Sequence, residues 1–464
     1  MNKYQKLISN TAILAIGTFA SKVLVFLLMP LYTSCLSAAE YGTADLITQT
    51  ANLIIPLLAC GIVEAVFRFA LDKKSNLARV FTTGFVVICA GVALFAILSP
   101  LLSKINYFGE YTALIIAYAA ASCFHSLCAQ FVRATGKTSL FAFQGILSTL
   151  ITIILNIIFL VACDMGVEGY VLSVVFSDIA ATIFLVITAR LWGALRFDRF
   201  KLSFAFEMLK FSVPMIPTTI FWWITNVADR YMVRDICGKE INGLYAVAYK
   251  IPTLLILASG VFIEAWQFSA VTEKGSREHT AFFGKVMGSF QAMMFMVGSV
   301  LVAFSKIFTM LLVDPSYYTS WRYIPILSAA TVFSSLVTFM GSVYLVEKKS
   351  ILSFVTSFIG AGVNILLNLL LIPHFEAIGA AIATFFSYFV VYIIRAINSR
   401  SYIPFDLHNR KVAFNTAVIL LQSTVMILEV PFWIPMQILC VGLIVGVNIK
   451  PILVGMMKLI RRGR

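Results

Sequence analysis

Residues 140–162 read LFAFQGILSTLITIILNIIFLVA, a run without a single charge. As a helix at about 1.5 Å per residue it is about 35 Å long, enough to cross a bilayer core of roughly 30 Å. The run is continuously apolar and does not alternate, which excludes a membrane β-barrel strand. A short polar gap follows, and residues 167–189, VEGYVLSVVFSDIAATIFLVITA, repeat the pattern. Working outward from this pair, candidate spans fall at 8–33, 41–67, 79–102, 111–132, 211–233, 243–266, 281–312, 323–346, 351–372, 377–396, 412–428 and 432–449. The expectation is an all-α polytopic membrane protein with about fourteen transmembrane helices. Composition agrees: 60% of the 464 residues are hydrophobic and 12% are charged, against roughly a quarter charged in soluble domains. The first apolar stretch, Leu7 to Leu31, is too long for the core of a cleavable signal and reads as a span.

The formal net charge is +14, which in a soluble protein would point to nucleic acid. Here its distribution decides. Twenty-six of the 35 Lys and Arg lie at the two termini and in every second loop; the loops between hold five, Lys104, Arg230, Arg234, Lys239 and Arg322. Basic residues accumulate on the cytoplasmic side. The expected topology therefore has an even number of spans, both termini cytoplasmic, and a multi-pass location in the inner membrane, with no nucleic-acid partner. The eight cysteines are scattered, with no C-x-x-C, and the four histidines lack ligand spacing. No disulfide framework, metal site or cofactor is expected. No P-loop is present, so direct use of ATP is not expected.

The chain also repeats itself. Lys137 precedes Asn156 by 19 positions, as Lys349 precedes Asn368; Gly169 then leads to Phe176–Ser177, as Gly379 leads to Phe386–Ser387. Glu40, Gly42, Pro56 and Glu64 are matched by Glu240, Gly243, Pro252 and Glu264. A duplicated six-helix unit accounts for both matches. Six is even, so the two copies are parallel repeats. The expected division is a first lobe at 1–195, a cytoplasmic interfacial linker at 196–210, a second lobe at 211–400, and two additional helices with a basic tail at 401–464. Two such lobes suit alternating access. A channel would want a filter-like Gly-rich loop, and a membrane enzyme a cluster of acids or histidines at catalytic spacing; neither is apparent.

Ionisable residues at membrane depth are costly and mark functional candidates. Lys22 stands near the middle of the first span and Lys250 lies in the eighth, just before Pro252. Each reads as a cavity-facing cation, with a structural pair as the plainer alternative for Lys22 and snorkelling for Lys250. Glu64 and Arg68 have the i,i+4 spacing of a local salt bridge. Glu264 has no basic residue four positions later and is the better candidate for protonation. Asp178, mid-span, is either a coupling site or a structural partner, for example of Lys22. Asp229, Arg230 and Asp45 fall near outer helix ends, where anchoring is the plainer reading. Asn156 and Asn368 read as hydrogen-bonding residues between helices, and Pro56, Pro214, Pro217 and Pro252 as kinks in helices 2, 7 and 8. Lys22, Lys250, Arg68 and Arg230 together would favour an anionic substrate, and phosphate is the usual one.

These residues also resemble a known family. The run TAILAIGTFASKVLVFLLMPLYTSCLSAAEYGTADL (11–46), the span ending GIVEAVFRFAL (61–71), and ADRYMV (228–233) ahead of an E-x-x-G-L-Y opening (240–245) look like bacterial oligosaccharide flippases of the multidrug/oligosaccharidyl-lipid/polysaccharide superfamily. The resemblance implies two six-helix lobes. The implied substrate is an undecaprenyl-pyrophosphate-linked oligosaccharide, turned to the outer face of the inner membrane for O-antigen, capsule or exopolysaccharide assembly. It implies membrane lipids and a polysaccharide polymerase as partners. The return of the lobes would be coupled to an ion, proton or sodium, at Asp178, Glu264 or Glu64, or to the membrane potential. Ser21–Lys22 matches a serine followed by a basic residue in helix 1 of related lipid II flippases, and Lys250 approximately matches their basic residue in helix 8. Lys stands where those relatives commonly carry Arg. A cation-coupled multidrug exporter and a lipid II flippase are the alternatives.

Overall fold

The computed structural model describes residues 24, 26–72, 75–105, 109–272, 279–347 and 349–462. Among them the regular structure is helical throughout. The first helices are α1 (Met29–Cys35), α2 (Ala38–Leu58), α3 (Ile62–Ala70), α4 (Leu77–Leu102), α5 (Thr112–Ala134), α6 (Thr138–Asn156), α7 (Gly166–Ala189) and α8 (Leu202–Ser212). They are followed by α9 (Ile216–Cys237), α10 (Lys239–Thr272), α11 (His279–Ala303), α12 (Ser305–Leu312), α13 (Ile324–Val346), α14 (Ser350–Ser399), α15 (Asn409–Leu428) and α16 (Trp433–Arg462). Ten of these are long and apolar enough to cross a membrane, or eleven if the bent pair α2–α3 counts as one broken span. The charged α9, with Asp229, Arg230, Arg234 and Asp235, stands in the place of the expected seventh span. The break in α14 at Glu376 divides it where spans 11 and 12 were expected to part. The first expected span lies mostly outside the described residues.

Local sequence explains the helix ends. Ser37 begins α2 with a capping box: its hydroxyl accepts from the Glu40 amide, and the Glu40 carboxylate accepts from the Ser37 amide at 2.8 Å. Cys60 and Gly61 both take the left-handed conformation (φ 48° and 63°), and the chain bends by 57° there. The Gly61 amide reaches back to the Pro56 carbonyl at 3.0 Å. Pro56 thus lies one turn before a true bend. Pro214 and Pro217 do not kink helix 7 as expected. They lie in a 3-10 turn and in the first turn of α9, where a missing N–H costs nothing. Pro252 lies within a continuous α10. After Asn156, α6 widens into a π-helical turn over Ile157–Ala162.

The chain forms two compact units, residues 1–223 and 224–464. The first unit packs Val66, Ile88, Leu127 and Val132, all fully buried, with α8 docked by the Ser212 hydroxyl on the Cys60 carbonyl at 2.8 Å. The stretch read as an interfacial linker thus belongs to this unit's packing. Gly91 lets α4 touch α2: a Cβ there would lie 1.9 Å from the Leu58 carbonyl oxygen. The second unit is aromatic at its core, with Trp266 stacked on Phe339 at 4.9 Å and Phe290 stacked behind at 5.3 Å. The outward face of α4 shows Leu94, Ile97 and Leu101, all well exposed. Contiguous apolar surface of this kind belongs in lipid.

Candidate functional sites in the two units

In the first unit a polar group crosses three apolar helices. Ser122 and His125, three positions apart, share one face of α5. Asp178 comes from α7 and Gln144 from α6. His125 Nδ1 lies 2.8 Å from Asp178 Oδ1, and its Nε2 lies 2.6 Å from Gln144 Oε1. The Ser122 hydroxyl donates to Asp178 Oδ2 at 2.5 Å. Alongside, the Ser177 hydroxyl donates to the Ser148 carbonyl at 2.7 Å, tying α7 to α6. Every polar atom named here has a partner, which is what an apolar surrounding demands. Asp178 therefore finds its counter-group in His125. The sequence reading missed this histidine because it sought metal-ligand spacing within one helix. The signal was there in the i,i+3 pair Ser122/His125 inside a long apolar run.

The second unit holds another buried carboxylate. Asp229, on α9, is fully enclosed. Its Oδ2 accepts from the Tyr245 hydroxyl of α10 at 2.7 Å and from Thr384 of α14 at 3.2 Å, and its Oδ1 accepts from the Arg230 amide at 2.9 Å. The chain of bonds continues through Asn364 to Asn368, whose amide donates to Asn364 Oδ1 at 2.9 Å. Arg230 is buried too, its guanidinium 4.8 Å from the Tyr249 ring centre. These two residues lie inside the unit. Asn368 meets its own helix four positions earlier; Asn156 donates to the Thr152 carbonyl of α6 at 2.8 Å, and its side chain also hydrogen-bonds Tyr32 of α1. The link from Asn368 to a neighbouring segment runs through Asn364.

The remaining expected site residues are dispersed. Lys22 lies outside the described residues. Lys250 is on α10, half-buried, and its carbonyl accepts a hydrogen bond from Thr253. Glu64 and Arg68, on α3, are both exposed. The i,i+4 salt bridge expected between them is not formed: among the described residues neither side chain enters an ion pair. Glu264 falls on α10, its side chain outside the described residues. Among the described residues no group of three or more His, Cys, Asp or Glu could hold a metal. Arg395, one of the 26 basic residues assigned above to the termini and every second loop, is wholly enclosed in the second unit.

Long apolar helices with ionisable groups satisfied inside each unit define a multi-pass helical membrane protein. The family model described as polysaccharide biosynthesis protein matches residues 7–266, and the chain belongs to that family. An uncharacterized membrane protein of Methanocaldococcus jannaschii is 27% identical over 178 residues, which span 38% of this chain and 33% of that protein. Among solved structures, the lipid II flippase MurJ in an inward closed conformation superposes with a TM-score of 0.68 at 14% identity, covering 96% of this chain and all of that one. An inward-facing multidrug resistance MATE family transporter of the MOP superfamily gives 0.69 at 15% identity, over 82% and 94%. Its outward-facing counterpart gives 0.63 at 15%, over 86% and 95%. These likenesses establish the fold.

Proposed function

We propose that the protein is a flippase that moves an undecaprenyl-pyrophosphate-linked oligosaccharide from the cytoplasmic to the outer face of the inner membrane, for assembly of a surface polysaccharide. The observation that carries this reading is the family match on a chain built almost wholly of membrane-crossing helices. A polysaccharide-pathway protein of that build serves the pathway by moving its lipid-linked intermediates. The superposition on a lipid II flippase across 96% of the chain supports the same reading. In it Lys22 and Lys250 neutralise the pyrophosphate, assisted by Arg68 from the exposed face of α3, and the site opens alternately to the two faces. Arg230, the fourth cation of this reading, is enclosed in the second unit, its guanidinium 4.8 Å from the Tyr249 ring centre. The coupling ion is handled at the buried group that contains Asp178, with Glu264 and Glu64 as the other acidic candidates, and a polysaccharide polymerase receives the product.

The test is genetic and biochemical. Deleting the gene should abolish surface polymer and leave the lipid-linked oligosaccharide on the cytoplasmic leaflet. Lys22→Ala and Lys250→Ala should each fail to restore the polymer. Full polymer at normal protein levels would refute the pyrophosphate role. Arrest of cell-wall synthesis would point to a lipid II flippase, and altered drug tolerance alone to an exporter.

A further inference from the structure

His125 meets an acceptor at each end of its ring. A neutral imidazole carries one N–H and one lone pair, so it can satisfy only one of two oxygens. With Gln144 presenting Oε1, the lone pair would face an oxygen at 2.6–2.8 Å; a neutral ring is satisfied at both ends only when the amide is turned to present its NH2. An imidazolium donates to both. Its charge is balanced by Asp178, which is steadied in turn by the Ser122 hydroxyl. Among the described residues the ionisable neighbours are few. Tyr118 and Cys123 of α5 lie within electrostatic reach of Asp178. Further along α7, Tyr170 packs on Tyr32 and Tyr41, with Asp45 of α2 nearby. Among the described residues, the one group besides Asp178 that bonds the ring is Gln144, from α6. The His125 and Asp178 side chains keep 16% and 12% of their exposure, so the pair is not sealed.

We propose that His125 is held as an imidazolium between Asp178 and Gln144, and that this group is the proton-binding site of the protein. Release takes the Nε2 proton to a water molecule, and the Gln144 amide turns over so that its NH2 donates to the bare nitrogen. Asp178 keeps its charge throughout. The group is therefore neutral when loaded and carries one negative charge when empty, a state that is expensive at membrane depth. That difference is what would couple a proton to a change of conformation. A cationic ring also repels sodium, so the choice left open between proton and sodium closes here in favour of the proton. The role of the proton in transport rests on the flippase reading; the protonation state does not.

The experiment uses the full chain in lipid bilayers, ring-15N-labelled at histidine, with solid-state NMR at pH 7. The chain has four histidines, at 125, 279, 374 and 408. His125 is assigned by the signal lost in His125→Asn or, if that variant fails to fold, by the signal surviving when the other three are replaced. Both His125 ring nitrogens should be protonated in more than nine-tenths of molecules, against about a quarter for an ordinary imidazole. Exchanging sodium for potassium should change nothing, and Asp178→Asn or Gln144→Leu should lower the cationic fraction. A neutral His125 in the unmodified protein overturns the proposal and leaves the flippase reading untouched. Conversely, a cationic ring with surface polymer unaffected by His125→Asn would leave the proton site standing and remove its transport role.

Discussion

Arg395 offers a sharp test of how this fold tolerates charge. The side chain is 1% exposed, and among the described residues it forms no ion pair. Its guanidinium donates to the Val337 carbonyl of α13 at 2.8 Å and to Thr356 Oγ1 of α14 at 3.0 Å; Ser353 O and Ser357 Oγ lie at 3.4 Å. Hydrogen bonds from a charged donor contribute about 1.5–3 kcal/mol each, so the two good bonds supply about 3–6 kcal/mol. Burying the charge costs several kcal/mol, and the two nearly cancel. Arg395→Met removes both terms and keeps most of the volume. The hydroxyls of Thr356 and Ser357 still have Leu352 O and Ser353 O to donate to, at 2.9 and 2.8 Å. The expected loss is about 1–2 kcal/mol. Arg395→Lys keeps the charge but gives up the planar fork, and an ammonium cannot reach acceptors on both helices while deprived of water. Its expected loss is about 3–5 kcal/mol. Thermal melting of the purified protein in detergent, followed by size-exclusion, should therefore rank wild type above Met and Met above Lys. If Lys matches wild type, or Met falls below Lys, the buried charge is indispensable and this accounting fails.

Other outcomes follow from particular contacts. Gly91→Ala forces a Cβ against the Leu58 carbonyl, so α4 must move away from α2; overpacking of this kind costs about 1–3 kcal/mol, and a melt unchanged within error would contradict the close approach. A Cβ on Gly341 would meet Arg395 Nη1 at 3.0 Å. Gly341→Ala should therefore destabilise the wild type more than the Arg395→Met protein, and a double-mutant cycle with zero coupling would refute that contact. At the edge of the second unit Lys306 pairs with Glu429 and lies 4.4 and 4.3 Å from the rings of Trp321 and Trp433. The hydrogen bond from Lys306 holds the Glu429 carboxyl below its ordinary range, so the pair stabilises at neutral pH and is lost as pH falls through that lowered range. Melting of Glu429→Gln should thus trail wild type at pH 7 by a small margin that closes in acid. Lys306→Met also loses both ring contacts and should cost more than Glu429→Gln at pH 7.

Much of this architecture was legible from apolar runs alone, because a membrane helix must present about twenty apolar residues whatever it packs against. The division of α14 near residue 376 and the capping of α2 by Ser37 and Glu40 are local features, and local sequence carries them. What a single sequence does not carry is which helix faces which. His125 and Asp178 are 53 positions apart, and their pairing depends on how α5 meets α7. Arg395 looked like a loop cation because basic residues at span ends normally are. Only the polar rim formed by Ser353, Thr356, Ser357 and the Val337 carbonyl explains its burial. The prolines of helix 7 misled for a similar reason: proline opens a helix as readily as it breaks one, and only the true start at Ile216 decides between them.

The break at Glu376 bears on how the chain is made. There the backbone reverses within one non-glycine residue at φ 51° and ψ −139°, after Pro373 and with no intervening loop. Two apolar segments joined so tightly have no tether on which one could settle in the bilayer before the other. They must enter as a preformed pair during biogenesis. An epitope tag or a flexible spacer inserted at this corner should therefore cost yield of inserted protein, where the same insertion beyond Leu428 would be tolerated.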